Sequence, residues 1–109
     1  MFGSKTDKIQ KAIEKKKAST MVKLAKDADA KVRIAALEGL GKIKSNDGFA
    51  ILTFSLNDVD PSVRAAAAKG LAELGDVHGK AHIVFAMNKE TDEKAKEAMH
   101  EAILNLKDY

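Results

Sequence analysis

A fifteen-residue pattern occurs three times in this chain, starting at Asp29, Asp60 and Asp92, so that successive copies lie 31 and 32 residues apart. A shorter apolar segment precedes each copy, at 20–24, 52–56 and 83–87. A period of this length is the signature of stacked repeats, in which each unit shields the apolar face of the next. The pattern therefore predicts three units, each made of a helix, a tight turn and a second helix.

The second helix of each unit carries apolar residues with the 3.6-residue period of a buried helix face. These positions are Val32, Ala36, Leu40 and Ile43 in the first unit, Val63, Ala67, Leu71 and Leu74 in the second, and Ala95, Met99, Ile103 and Leu106 in the third. Small residues share that face, namely Gly39, Gly70 and Ala102. Small side chains there are predicted to let paired helices cross closely.

The starts of the second helices carry their own signals. Asp29, Asp60 and Asp92 stand where an N-cap side chain accepts a hydrogen bond from the backbone, and Pro61 takes the first helical position. We therefore predict an all-α fold, an α-α superhelix (solenoid) of about three helical hairpins plus an N-terminal capping helix. A single domain is expected over 1–109, with the capping helix at 5–17 and repeats at 18–46, 47–76 and 77–109.

The turn and the start of the second helix resemble the HEAT-like repeat family, in particular its short bacterial and archaeal form, also found in phycobilisome lyases. The matching segments read NDVDPSVR at 57–64 and KDADAKVR at 26–33. The third unit departs from this pattern, because Glu90 replaces the turn Asp and Lys96 replaces the Arg. The resemblance implies a helical solenoid over about residues 18–108.

In that family the turn Asp and the Arg form a hydrogen-bonded ladder between successive units. Carried over to this sequence, the resemblance implies Asp27 and Asp58 as acceptors and Arg33 and Arg64 as donors. The departures at the third unit suggest that the ladder ends there.

Positive charge is concentrated at the amino-terminal end of the chain. Residues 1–27 hold eight lysines and three acidic residues, a net charge of +5, whereas the remainder carries −2. A solvated, lysine-rich capping helix is the simpler interpretation, because charge runs usually mark solvent-facing surfaces. The alternative is a surface that binds nucleic acid or another polyanion.

The residues that usually carry chemistry are sparse or already explained. The chain has no Cys, and His78 and His82 have the spacing of paired metal ligands without a third ligand at suitable spacing. Phe49, Phe54 and Phe85 could stack nucleic-acid bases, although core packing explains them better. We expect no catalytic site, no metal and no cofactor, and therefore no enzyme. No apolar run at the amino terminus resembles a signal peptide and none is long enough for a membrane span, so we expect a cytoplasmic protein.

The concave face of such a solenoid is where repeat proteins characteristically bind partners. Counting 100° per residue from Val32 places Ile34 and Leu37 opposite the core face. The predicted partner-binding residues on this face are Ile34, Leu37, Ala65, Ala68, Lys69 and Ala72. The opposing interpretation is that Ile34 and Leu37 are buried against neighbouring helices. We expect a non-catalytic scaffold or adaptor, monomeric, that binds a protein or peptide of unknown identity there.

Overall fold

The computed structural model describes residues 5–14 and 18–106. Seven α-helices and no strands are formed within those ranges. They are α1 (Lys5–Glu14), α2 (Ala18–Leu24), α3 (Ala30–Ile43), α4 (Asn46–Ser55), α5 (Pro61–Leu74), α6 (His78–Lys89) and α7 (Glu93–Asn105). The fold of the described residues is therefore all-α. Residues 1–4 lie outside them, as do the last three residues of the predicted capping helix, 15–17, and of the predicted third repeat, 107–109.

The helices stack in two layers. In the inner layer α1 packs against α3, α3 against α5, and α5 against α7. In the outer layer α2 packs against α4 and α4 against α6, and each outer helix also contacts the inner helix that follows it in the chain. The molecule measures 41 × 30 × 17 Å, as expected for a sheet of helices two layers deep. Among the described helices, none is long and apolar enough to cross a lipid bilayer.

Side chains at the helix starts explain where the inner helices begin. The carboxylate of Asp29 accepts from the backbone N–H of Lys31, and that of Asp60 accepts from Ser62. Asp92 caps α7 in the same way. The predicted N-caps are therefore confirmed, and each satisfies a backbone N–H that has no partner within its helix. At the other end, Gly75 follows the last residue of α5 as its C-cap, in the left-handed conformation with φ of 80°.

The core lies between the two layers and follows the predicted register. The largest fully buried side chains are Met21, Leu37, Leu40, Leu52, Val63, Leu71, Ile83 and Met99. Of the predicted core positions, Val32, Ala36, Leu40, Val63, Ala67, Leu71, Ala95, Met99 and Leu106 are buried, and Ile43, Leu74 and Ile103 are half-buried. The 3.6-residue period thus predicted the face that meets the outer layer.

Two residues predicted on the exposed concave face are instead in the core. Leu37 and Ala68 are fully buried, so that part of the prediction was wrong. Each inner helix meets the outer layer on one side and the neighbouring inner helices on its flanks. The buried arc of α3 and α5 is consequently wider than the single stripe that the period describes.

The helices α3 and α5 come close together at two glycines. A Cβ atom on Gly41 would lie 2.9 Å from the carbonyl oxygen of Gly70 and 3.0 Å from its Cα. On the other side, a Cβ on Gly70 would lie 2.5 Å from a methyl of Leu52 and 3.1 Å from the carbonyl oxygen of Leu37. Glycine at both positions therefore lets two backbones come into direct contact.

Candidate interaction surface

The exposed side of the inner layer forms a shallow groove across α3, α5 and α7, which we call the inner groove. One hollow of about 350 Å³ is lined by Ile34 and Ala65 together with Lys69. A second, of about 280 Å³, is lined by Lys69, Ala72 and residues of α7. Lys69 borders both hollows and so stands at the centre of the groove.

Apolar side chains form the floor of the inner groove. Ile34, Ala65 and Ala72 are half-buried, and Ala98 of α7 contributes to the second hollow. A third hollow, of about 460 Å³, continues past Ala98 to Leu104, whose side chain is 67% exposed. Small residues keep the centre flat, while larger aliphatic side chains stand at both ends.

Charges of both signs surround this apolar floor. Exposed acidic side chains lie along it at Glu38, Glu73, Glu97 and Glu101. Exposed cations lie between them at Lys69 and Lys94. The acidic side chains would repel phosphate groups, whereas an alternation of signs suits a protein surface.

Four of the six residues predicted for this surface line the inner groove: Ile34, Ala65, Lys69 and Ala72. Leu37 and Ala68 do not, because both are buried. The count of 100° per residue also places Glu97 and Leu104 of α7 on this face, and both line the groove. Ala98 and Glu101, which line it too, were not predicted. The signal for them was available, since α7 repeats the pattern of α5 and packs beside it.

A ladder of charged hydrogen bonds joins successive turns along one edge of the solenoid. Arg33 donates through Nε to Asp58 Oδ2 at 3.0 Å and through Nη2 to Asp58 Oδ1 at 3.1 Å. Its third nitrogen, Nη1, donates to the carbonyl oxygens of Asp27 and Ala28. Each such arginine therefore ties its own turn to the turn of the next repeat in a bidentate geometry.

The next rung joins Arg64 to Glu90. Arg64 Nε donates to Oε1 at 2.6 Å and Nη2 donates to Oε2 at 2.8 Å. Glu90 Oε2 also accepts from the backbone N–H groups of Thr91 and Asp92, and its side chain is only 2% exposed. Glu90 therefore makes the same bidentate contact as Asp58, and this rung, at the third unit, is the last of the ladder among the described residues.

A lysine supplies the first rung of the ladder. Lys5 Nζ of α1 donates to Asp27 Oδ2 at 2.5 Å, and Asp27 Oδ1 accepts from the backbone N–H of Asp29. Lys5 thus acts on the first turn as Arg33 acts on the second, which the sequence analysis did not anticipate. The ladder now runs from α1 to the turn before α7.

The ladder shifts the ionisation of its members. The hydrogen bonds from Arg64 hold the pKa of Glu90 below its ordinary value, although burial acts in the opposite direction. The same contact raises the pKa of Arg64. For Asp27, the hydrogen bond from Lys5 is the largest of the causes that lower its pKa. The two carboxylates and the guanidinium group are therefore held in their charged forms.

The two histidines with metal-ligand spacing have other contacts. His78 Nδ1 lies 2.8 Å from Asp76 Oδ1, and both side chains are open to solvent. The His82 ring meets Phe49 edge to face, with centroids 6.0 Å apart. Within 5–14 and 18–106, no three His, Asp or Glu side chains come together as a metal site would require.

Two of the three phenylalanines predicted to pack in the core are exposed. Phe49 is half-buried, but Phe54 and Phe85 are 71% and 68% exposed. Phe54 lies two residues from the buried Leu52, and Phe85 lies two residues from the buried Ile83. Two residues turn a helix by 200°, so these rings point away from the inner layer.

Comparison with known proteins places the chain in a family. Among solved structures it is similar to epoxyqueuosine reductase in complex with an epoxyqueuosine-modified tRNA-Tyr stem loop, with 28% identity and a TM-score of 0.65. That similarity covers 69% of this chain and 20% of the reductase, so the chain spans about a fifth of that enzyme's length. No curated protein matches the sequence. The family model for HEAT repeats matches residues 18–104, and with its stacked hairpins and inner groove the chain belongs to the HEAT repeat family.

Proposed function

We propose that this protein is a non-catalytic interaction scaffold of the cytoplasm that binds a helix or an extended segment of a partner protein in the inner groove. HEAT repeats in general mediate protein interactions, and the groove gives that general role a surface. The single observation that carries the proposal is a flat, alanine-lined floor bordered by charges of both signs. Such a floor lets a partner backbone approach closely while the charged border selects its orientation.

Two half-buried alanines on the floor of the inner groove offer a direct test. We expect the double substitution Ala65→Arg and Ala72→Arg to abolish capture of the partner, because two long cationic side chains would fill the floor. Both alanines are half-buried and border solvent, so an arginine can extend outward without disrupting the core. The measurement is affinity capture from the native cell with wild-type and variant baits, compared by quantitative mass spectrometry.

The matched control is Ala28→Arg, which makes the same chemical change at an exposed alanine in the turn between α2 and α3. The control is expected to retain every partner that wild type captures. If the groove variant, folded by circular dichroism, captured the same proteins in the same amounts, the inner groove would not be the binding surface. Ala68 would be a poor test site, because its buried side chain would report folding instead of binding.

A second candidate function is polyanion binding at the amino-terminal end of the solenoid. Lys8, Lys11, Lys23, Lys26 and Lys31 are all exposed there. Lys15, Lys16 and Lys17, which strengthened this alternative in the sequence, lie outside the described residues. The observation that favours this candidate is the similarity to a reductase whose structure contains a tRNA stem loop.

For this candidate we expect an RNA stem loop to bind at low ionic strength and to dissociate steeply as salt is added. Each phosphate contact that is lost should reduce the slope of log K against log salt by about 0.7 to 0.9. The double substitution Lys8→Glu and Lys11→Glu should therefore lower the slope by roughly 1.5, as measured by fluorescence anisotropy. Undetectable binding of the stem loop at low ionic strength would eliminate the candidate without bearing on the inner groove.

A further inference from the structure

The outer layer exposes two aromatic rings at equivalent positions of consecutive repeats. Phe54 of α4 and Phe85 of α6 are 71% and 68% exposed, and both occupy the place of Val22 in α2. Exposed large apolar groups that recur in register differ from the single, scattered ones that any protein surface carries. Since helices in a layer pack about 8–10 Å apart, the two rings should be separated by roughly that distance.

An apolar hollow lies beside the first of these rings, between α4 and the turn that follows α2. Its volume is about 470 Å³. Ala25, Ile51 and Phe54 provide its apolar walls, and Lys26 and Asn57 stand at its border. We call this hollow the outer groove. None of its lining residues is among those that line the inner groove.

The charges beside the outer groove that remain available are positive. Lys26 is exposed, and no acidic partner is found for its ammonium group in the described part of the chain. Lys89 holds the equivalent position in the third repeat, where its Nζ lies 4.8 Å from the Phe85 ring centroid and 3.2 Å from Asn57 Oδ1. The neighbouring carboxylate of Asp58 is already engaged by Arg33.

We infer that the outer groove, together with Phe85, is a second docking site, for a short acidic peptide segment of a protein partner with apolar anchor residues. One anchor side chain enters the hollow between Ala25, Ile51 and Phe54. Carboxylates of the segment face Lys26 and Lys89. A segment in the polyproline II conformation advances about 3.1 Å per residue with three residues per turn, so a second anchor three positions away lies on the same face and reaches Phe85.

A peptide fits these features better than single-stranded nucleic acid does. The hollow is concave and its apolar walls are Ala25, Ile51 and Phe54, which suits a branched or aromatic side chain. Strand binding without sequence preference instead needs a continuous basic groove that follows the phosphates. Here Lys26 and Lys89 belong to different repeats, and the residue between them in register is the neutral Asn57.

The test begins with selection of random twelve-residue peptides displayed on phage against the full-length chain. We expect the selected peptides to carry an apolar residue flanked by Asp or Glu, with a second apolar residue about three positions away. A fluorescein-labelled copy of the most enriched peptide is then titrated by anisotropy. Phe54→Ala and Lys26→Glu should each weaken its binding about tenfold or more, as expected for an aromatic anchor and its charged neighbour.

Matched controls separate this site from the inner groove. Lys42→Glu changes an exposed lysine of α3, and Ala65→Arg blocks the inner groove; both should leave the affinity of the peptide unchanged. Phe54 is so exposed that its alanine variant should fold normally, which circular dichroism verifies. Selected peptides that bind Phe54→Ala as tightly as wild type would overturn the assignment.

Other occupants of the outer groove would give different results with wild type and Phe54→Ala. If no acidic peptide were selected, while poly-uridine RNA or anionic vesicles bound wild type and not Phe54→Ala, the surface would belong to nucleic acid or membrane. A dimer in sedimentation velocity that Phe54→Ala dissociates would assign it to a second copy of the chain. Either result would overturn the peptide proposal and leave the inner groove unaffected.

Discussion

Replacing Arg64 by leucine is expected to lower the free energy of unfolding by about 3 kcal/mol, because it leaves a buried carboxylate without its charged partner. Glu90 is 2% exposed in its side chain and accepts two hydrogen bonds from Arg64, at 2.6 and 2.8 Å. The two backbone N–H groups that Glu90 also binds cannot neutralise its charge. For a domain of this size the loss corresponds to a fall in Tm of roughly 12–24 °C, measurable by calorimetry and by urea denaturation.

The pH dependence of this loss identifies its cause. In the wild type, the pKa of Glu90 is lowered by Arg64, so the stability that the pair contributes is present above the ordinary pKa of a glutamate. It is lost as the pH falls through the lowered value in the folded state. Without Arg64, burial raises the pKa of Glu90 instead, and protonation relieves the unpaired charge.

The difference in the free energy of unfolding between wild type and Arg64→Leu should therefore begin to narrow as the pH falls towards about 4.3, the ordinary pKa of a glutamate, and should narrow further below it. A matched substitution, Glu90→Gln in the Arg64→Leu background, should recover part of the lost stability at neutral pH. If the difference in the free energy of unfolding between wild type and Arg64→Leu were the same at pH 7 and in acid, the charge on Glu90 would not be the cause of the destabilisation.

Much of this fold could be predicted because its local and long-range signals agree. The copies starting at Asp29, Asp60 and Asp92 predicted the hairpins, and the same aspartates cap the helices that they precede. Pro61 reinforces the start of α5. Such signals act within a few residues of the chain, so they can be recognised without knowing where any helix lies in space.

The errors arose where burial depends on how many neighbours a helix has. Leu37 and Ala68 lie off the main apolar stripe, yet they are buried because α3 and α5 are covered by other inner helices as well as by the outer layer. Phe54 and Phe85 gave the opposite error, since the outer helices turn one side to solvent. An apolar residue type by itself does not distinguish a core position from a docking surface.

The candidate site was predicted in part for the same reason. Ile34, Ala65, Lys69 and Ala72 line the inner groove, because residues two or three positions from the core stripe of an inner helix can reach its free side. Ala98 and Glu101 of α7 were not predicted, although Glu101 holds the position in its repeat that Lys69 holds in the one before. The similarity of these repeats to those of phycobilisome lyases stays a prediction.

The second large loss of stability is expected from a substitution at the contact between α3 and α5. Replacing Gly41 by leucine is expected to destabilise the protein by about 3 kcal/mol or more, because an overpacked core must move its backbone. Even a Cβ atom at this position would lie 2.9 Å from the Gly70 carbonyl oxygen and 3.0 Å from its Cα. These are backbone atoms of a neighbouring helix, and no rotamer change can move them away. Urea denaturation measures the loss directly.

Alanine substitutions at two glycines separate this steric effect from helix propensity. An alanine is favoured over glycine by about 1 kcal/mol inside a helix, so Gly→Ala stabilises wherever there is space. At Gly79 the new Cβ would meet only the side chain of Leu71, at 3.4 Å, and that of Phe49, at 3.6 Å. Gly79→Ala is therefore expected to be neutral or stabilising by up to about 1 kcal/mol.

Gly41→Ala should instead destabilise, because the same gain in propensity is outweighed by an overpacking cost of about 1–3 kcal/mol against the α5 backbone. The decisive observation is that the free energy of unfolding falls in Gly41→Ala but does not fall in Gly79→Ala. If both alanines stabilised the protein equally, α3 and α5 would have room to separate. The fully buried Leu37 and Ala68 would then lie at an interface loose enough to open, and the inner groove would have no fixed floor on which to hold a partner.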